Sequence, residues 1–163
     1  MIDRRTLLLG GVGVLAIAGG LSMRTSPTRA KGAFAVSMSE DEWRKKLTSE
    51  QYNVLRESGT EYPFTSPLND EHRIGSFNCA GCEQALFDSK TKFDSGTGWP
   101  SFYAPIDKAV GEEEDGSLGM VRTSVHCSRC GGHLGHVFND GPKPTGLRYC
   151  INGVAMTFKP VAA

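Results

Sequence analysis

Four of the five cysteines in this 163-residue chain come as two short pairs, "CAGC" (Cys79, Cys82) and "CSRC" (Cys127, Cys130). Two cysteines three positions apart can turn both sulfurs onto one ion from a tight knuckle, and two such knuckles supply the four thiolates of a tetrahedral zinc site. Residues 83 to 126 lie between the knuckles, so a folded segment must leave the first and return to the second. Gly81 inside one knuckle, and Gly131 and Gly132 after the other, suit such turns. A pair of redox-active dithiols and two structural disulfides are the rival readings. The likeness of the two knuckles favours one Zn2+ per chain. Four thiolates leave no open coordination position, so the expected role of the ion is structural.

The rest of the body reads as mainly β. Twenty glycines and eight prolines imply many turns. "SEDEWRKKLTSEQYNVLRESG" (residues 39 to 59) predicts two short helices. Ser39 and Glu42 form a capping box for the first. Thr48 or Ser49 starts the second and Gly59 ends it. Trp43, Leu47, Tyr52 and Leu55 are the core candidates of this segment. A loop with Pro63 and Pro67 runs to Arg73. Short strands then follow at "GSFNC", "ALFDS", "MVRTSVHC", "HLGHVF" and "LRYCINGVAMTF", with "EEEDGS" (residues 112 to 117) as a charged hairpin tip.

Residues 1 to 35 differ from the rest. Arg4 and Arg5 precede 18 residues without a charge, Thr6 to Met23, rich in Gly and Ala. A basic start, an apolar run and small residues beyond it describe an export signal. The adjacent arginines in "DRRTLLLG" resemble the twin-arginine pattern of bacteria. Cleavage is expected after "AFA" (residues 33 to 35) or near "AIA" (residues 16 to 18), giving a periplasmic protein. An uncut membrane anchor is the alternative. Twin-arginine export carries folded cargo, so zinc would be loaded before the thiols meet an oxidising space. Taking the five basic residues and one acidic residue of this segment from totals of 18 and 18 leaves 13 and 17, a balance of −4 in residues 36 to 163. A mildly acidic body lacks the electrostatic footprint of a nucleic-acid binder.

With four cysteines assigned to zinc, Cys150 is left as a free thiol. A buried, inert core cysteine is the plain reading. In a strand, however, Arg148, Cys150 and Asn152 share one face, with Tyr149 and Ile151 on the other. A neighbouring Arg favours the thiolate, which is the nucleophilic form. His133 and His136 of "HLGHVFNDGP", and Trp99 in the glycine-rich loop "SGTGWPSF", complete a set suited to a small polar substrate with an apolar end.

"KFDSGTGWPSF", "HLGHVFNDGP", "PTGLRYCIN", the two CxxC pairs and "EWRKKLTSEQYNVLRESGTEYPF" resemble the methionine-R-sulfoxide reductases, the MsrB family, over about residues 38 to 160. The resemblance implies two antiparallel sheets forming a small open barrel, with short N-terminal helices and a structural zinc held by Cys79, Cys82, Cys127 and Cys130. It implies an enzyme of protein repair, a peptide-methionine (R)-S-oxide reductase, in which Cys150 attacks the sulfur of the R epimer and becomes a sulfenic acid. His133 and His136 would bind the sulfoxide oxygen and assist proton transfer. Arg148 and Asn152 would orient the substrate or tune the thiolate, and Trp99 would receive the ε-methyl group.

One position departs from the pattern. Many members read "SGCGWPSF", and that cysteine resolves the sulfenic acid; here it is Thr97. The resemblance therefore implies a lone nucleophile, reduced by an external thiol, either thioredoxin-like or small. The expected partners are oxidised methionine, in proteins or free, and that reductant; the chain is expected to act as a monomer and without nucleic acid. A zinc-stabilised binding module without catalysis and a peroxide-sensing thiol protein are the competing functions. A second departure, Gly153 where serine often stands, is expected only to loosen its strand slightly.

Overall fold

The computed structural model describes residues 34 to 116, 119 and 121 to 161. The export signal expected at residues 1 to 35, with its cleavage positions, therefore lies almost wholly outside the described residues. Among the described residues no helix is long and apolar enough to cross a membrane.

Two helices open the described chain. Helix α1, Glu40–Lys46, starts at the Ser39–Glu42 capping box, with both reciprocal bonds made. Helix α2, Ser49–Glu57, starts at a second capping box, Thr48 with Gln51. Each box satisfies two backbone donors that a helix start leaves without partners. The end of α2 differs from the expectation. Ser58, not Gly59, takes the left-handed conformation, with φ 58°, and Gly59 N–H then donates to Asn53 O at 2.9 Å. Trp43, Leu47, Tyr52, Val54 and Leu55 are buried, so the helices lay their apolar stripes on the sheets.

Nine strands follow: β1 Gly75–Cys79, β2 Ala85–Asp88, β3 Lys92–Phe93, β4 Ser101–Phe102, β5 Val110–Asp115, β6 Arg122–Cys127, β7 His133–Phe138, β8 Arg148–Ile151 and β9 Met156–Pro160. They form two antiparallel sheets, β2-β1-β9 and β3-β4-β8-β7-β6-β5, without closing into a barrel. Three rings join the sheets. Phe87 of β2 stacks on Phe102 of β4 at 4.3 Å, and Phe77 of β1 meets the same ring edge-on at 4.9 Å. All three are fully buried. Such pairs add about 0.5–1.5 kcal/mol each beyond the area they bury.

Two strand expectations are corrected. The stretch read as a hairpin tip, residues 112 to 117, is mostly strand: Glu112 to Asp115 belong to β5 and pair with β6 as far as Asp115↔Arg122. The stretch "LRYCINGVAMTF" is not one strand. A 3-10 turn at Gly153–Ala155 splits it into β8 and β9, which belong to different sheets. The chain thus changes sheets two residues after Cys150.

Candidate active site and metal centre

Cys79 ends β1 in one sheet and Cys127 ends β6 in the other, so the two knuckles meet across the gap between the sheets. The four sulfurs lie within 4.8 Å of one another and are buried. Cys79 Sγ is 3.7 Å from Cys130 Sγ, and Cys82 Sγ is 3.5 Å from Cys127 Sγ. A tetrahedron with metal–sulfur bonds of about 2.3 Å has edges of about 3.8 Å, so the cluster is shaped for one ion. Mutual hydrogen bonding splits the thiols, pushing Cys79 and Cys130 up and Cys82 and Cys127 down. A divalent cation would replace the protons they compete for. Arg56 Nη1 donates to Cys130 O at 3.1 Å and Arg129 Nη1 to Cys82 O at 3.3 Å, which fixes both knuckles from outside. The four cysteines are thus positioned to hold one metal ion. With every corner a thiolate, it would supply a cross-link and no chemistry.

Cys150 stands in the middle of the six-stranded sheet. It pairs with Ser101 of β4 on one side and with His136 of β7 on the other, while Phe138 pairs with Arg148. Paired residues share a face, and residues two apart share it too. Arg148, Cys150, His136 and Phe138 therefore form one surface, with Tyr149 and Ile151 buried behind it as expected. A cavity of about 220 Å³ opens on this surface, lined by Thr60, Trp99, Arg122, Gly135, His136, Phe138, Cys150 and Asn152.

His133 and His136 are three apart, a spacing that puts residues on opposite faces of a regular strand. The β6–β7 register slips between Val125 and His126, so that Val125 faces Gly135 and His126 faces His133. This bulge adds a residue to β7 and returns both rings to one side, with centroids 5.4 Å apart. Gly135 is where β7 presses closest on β8, and a Cβ there would strike Cys150 O. His136 lies on the cavity wall; its Nε2 contacts Asp115 Oδ2 at 2.8 Å, and the same carboxylate oxygen takes Arg122 Nη2 at 2.9 Å. His133 stands behind it, buried, with Nδ1 3.1 Å from Ser124 Oγ, and does not line the cavity.

Arg148 donates through Nε and Nη2 to the two oxygens of Asp140, at 2.9 and 2.8 Å. Its guanidinium lies 4.4 Å over the Phe138 ring. This pairing holds the Asp140 carboxyl below its ordinary range and raises Arg148. The expected pull of Arg148 on Cys150 is present but does not prevail. Burial pushes the Cys150 thiol up, against smaller downward pulls from the Thr97 hydroxyl and from Arg148. Burial thus favours the thiol form of Cys150 in the free site.

Glu61 ties the cavity rim together. Its carboxylate accepts Gly153 N–H at 2.6 Å and Val154 N–H at 2.9 Å. Its own N–H donates to Asn152 Oδ1 at 3.0 Å, and its carbonyl accepts the Trp99 indole N–H at 3.3 Å. Asn152 Nδ2 donates in turn to Leu134 O at 2.9 Å. Asn152 is thus a buried strut between β7 and the 60s loop. Gly153 packs closely on Ser66, and a Cβ there would run into the Ser66 side chain unless that side chain moved.

Of the residues expected from sequence, Trp99, His136, Cys150 and Asn152 meet at the cavity; Arg148 and His133 flank it. The sequence reading missed Thr60, Glu61, Asp115, Arg122 and Phe138. Asp115 and Arg122 carry a signal, opposite charges flanking the turn of one hairpin, where they pair across the strands. Glu61 carries none, since the partners of its carboxylate are backbone N–H groups 92 and 93 residues away.

Residues 47–160 match the family model described as the SelR domain. The chain belongs to this family. The chain is 57% identical, over 127 residues, to the peptide methionine sulfoxide reductase MsrB of Agrobacterium fabrum, covering 77% of this chain and 94% of that protein. The MsrB of Pseudomonas putida strain W619 is 61% identical over 121 residues, 74% of this chain and 91% of its own length. That of Leptospira interrogans is 54% identical over 127 residues, 77% of this chain and 97% of its own. The matched SelR segment contains all five cysteines, so the metal cluster and the Cys150 cavity fall within the shared domain.

Proposed function

We propose that this chain is a peptide-methionine (R)-S-oxide reductase, returning oxidised methionine in proteins, or as the free amino acid, to the thioether. The observation that carries this is the meeting of Cys150, Trp99 and His136 on one cavity wall, in a SelR-family chain whose other four cysteines are drawn into a metal cluster. Cys150 attacks the sulfoxide sulfur. As the sulfur–sulfur bond forms, the sulfoxide oxygen is protonated and leaves as water; a water then attacks the Cys150 sulfur, breaking that bond and expelling the thioether, so that thiol and sulfoxide become sulfenic acid and thioether. Trp99, its indole N–H already engaged by Glu61 O, offers its ring to the methyl group. His136, its ring oriented by the Asp115–Arg122 pair, moves the proton. His133 buttresses it. Arg148 draws the sulfur towards its anionic form, and Asn152 fixes the cavity floor.

Thr97 leaves no resolving cysteine beside the nucleophile. An external thiol, small or thioredoxin-like, therefore condenses with the sulfenic acid, releasing water and leaving a mixed disulfide. A second thiol opens it and regenerates Cys150. The zinc held by Cys79, Cys82, Cys127 and Cys130 joins the two sheets that carry the site. The domain, residues 36 to 163, acts as a monomer. The Arg4–Arg5 pair and the apolar run after it support export by the twin-arginine route to the periplasm.

Consumption of separated R and S epimers of a methionine sulfoxide peptide, with a dithiol as reductant, tests this reading. The R epimer alone should be consumed, and Cys150→Ser should abolish it. Equal rates on both epimers, or full activity in Cys150→Ser, would refute it.

A further inference from the structure

We propose that Thr97 is a catalytic residue: its hydroxyl, set by Ser95 and Ser101, is the donor that stabilises the anionic sulfur of Cys150, as thiolate and then as sulfenate. This rests on the reading of Cys150 as the nucleophile.

The geometry is a chain of hydroxyl groups ending on the sulfur. Thr97 Oγ1 lies 3.8 Å from Cys150 Sγ. Ser95 Oγ lies 2.8 Å from Thr97 Oγ1 and 2.7 Å from Ser101 Oγ. Ser101 Oγ–H reaches Trp99 O at 3.3 Å. Ser101 is fully buried and is the cross-strand partner of Cys150, so the strand pairing that places the sulfur also places the far end of the chain.

Each hydroxyl has one hydrogen, and counting them gives two arrangements. With Cys150 a thiol, every hydrogen points away from it: Ser101 to Trp99 O, Ser95 to Ser101, Thr97 to Ser95, and the thiol to Thr97. When the sulfur loses its proton, all three hydroxyls can turn together. Thr97 then donates to the sulfur, Ser95 to Thr97 and Ser101 to Ser95. The two short bonds survive, only the long 3.3 Å bond to Trp99 O is given up, and the anion gains a donor. Ser95 Oγ also receives Thr97 N–H at 3.4 Å, which holds it in place in either arrangement. A sulfenate needs the same donor, so the reversed chain serves both anionic states.

Of the charged and titratable groups around the sulfur, only Arg148 also favours the anion, by its charge and by a hydrogen bond to the sulfur, and it is shared with Asp140. Arg148, on the same strand, has Nε and Nη2 committed to Asp140, and Asp140 itself pushes the thiol up. From β7, His136 is engaged with Asp115, and from the β5–β6 hairpin Arg122 is paired with the same carboxylate. In the loop of Thr97, Asp94 takes Gly96 N–H at 2.8 Å. The hydrogen bond from the Thr97 hydroxyl is the largest single influence that draws the Cys150 thiol down, ahead of the charge of Arg148 and of its hydrogen bond taken one at a time.

The test is the pH dependence of iodoacetamide alkylation of the zinc-loaded protein, with Cys150→Ser as the blank. Thr97→Val keeps the shape and removes the donor. It should raise the midpoint by about one unit, the share of one donor among the two or three that together pull a carboxylate from about 4 to below 2. Thr97→Ser should titrate like the wild type, and Ser95→Ala should rise by less than Thr97→Val. With sulfoxide as substrate, Thr97→Val should lower kcat with KM nearly unchanged. An unmoved midpoint in Thr97→Val overturns the proposal, whatever the sulfoxide turnover. If Thr97→Val does not fold, an unmoved midpoint in Ser95→Ala overturns it instead. A raised midpoint in a protein whose wild type reduces neither epimer would keep the donor and remove the function proposed above.

Discussion

Replacing Glu61 by Ala should damage both stability and substrate binding, and the size of the first effect follows from two bonds. The Glu61 carboxylate accepts from Gly153 N and Val154 N at 2.6 and 2.9 Å. Hydrogen bonds to a charged group contribute about 1.5–3 kcal/mol each. Gly153 is buried, but Val154 is only half-buried and can turn to water, so the second bond counts for less. The expected loss is about 2–4 kcal/mol. For a body of this size each kcal/mol moves the melting temperature by about 4 °C, giving a drop of roughly 8–16 °C. Glu61→Gln keeps one acceptor but turns an amide donor towards the other N–H, so it should fall between wild type and Ala. The catalytic effect should sit in KM. Trp99 and Asn152 anchor on the backbone of Glu61, whereas Cys150 and His136 are held by strand pairing. Thermal unfolding followed by circular dichroism, and steady-state kinetics on an R-sulfoxide peptide, read the two effects separately. A Glu61→Ala protein with wild-type melting temperature and wild-type KM would refute the assignment of Glu61 as the tie between rim and turn.

Metal analysis should find about one zinc per chain, and Cys79→Ser or Cys127→Ser should lower the melting temperature and the zinc content far more than Cys150→Ser. Phe87→Ala should cost about 3–5 kcal/mol by emptying the joint between the sheets, a loss readable in urea unfolding. In the free protein, alkylation of Cys150 should still be climbing above pH 9.0, the ordinary thiol value, because burial raises this group and only its thiolate reacts. Because the unfolded thiol ionises first, the fold loses stability as pH rises from about 9.0 up through the raised value of the buried group. One equivalent of R-sulfoxide without reductant should leave a dimedone-reactive sulfenic acid on Cys150 and no new disulfide; a disulfide from Cys150 to Cys79, Cys82, Cys127 or Cys130, with zinc released, would contradict the lone nucleophile.

The sequence by itself determined what depends on short-range chemistry. The CxxC knuckles announced the metal cluster, because three-residue spacing is enough to aim two sulfurs at one point. The Ser39–Glu42 box announced the first helix, because its partners are three residues apart. Strand alternation put Arg148 and Cys150 on one face. Only the tertiary structure decided the rest, and in each case the cause is contact between residues distant in sequence. The β7 bulge, which brings His133 and His136 to one side, exists only through pairing with β6. The break between β8 and β9 depends on Glu61, whose carboxylate binds Gly153 and Val154 from across the chain. Arg148, legible beside Cys150 in the sequence, does favour the thiolate, but burial is a property of the packed molecule and outweighs that adjacent charge. Thr97 shows the division most plainly. In the sequence it is only the place where a cysteine is absent, whereas in the fold its hydroxyl ends a chain of three that reaches the sulfur, because β4 and the loop before it are folded back against β8.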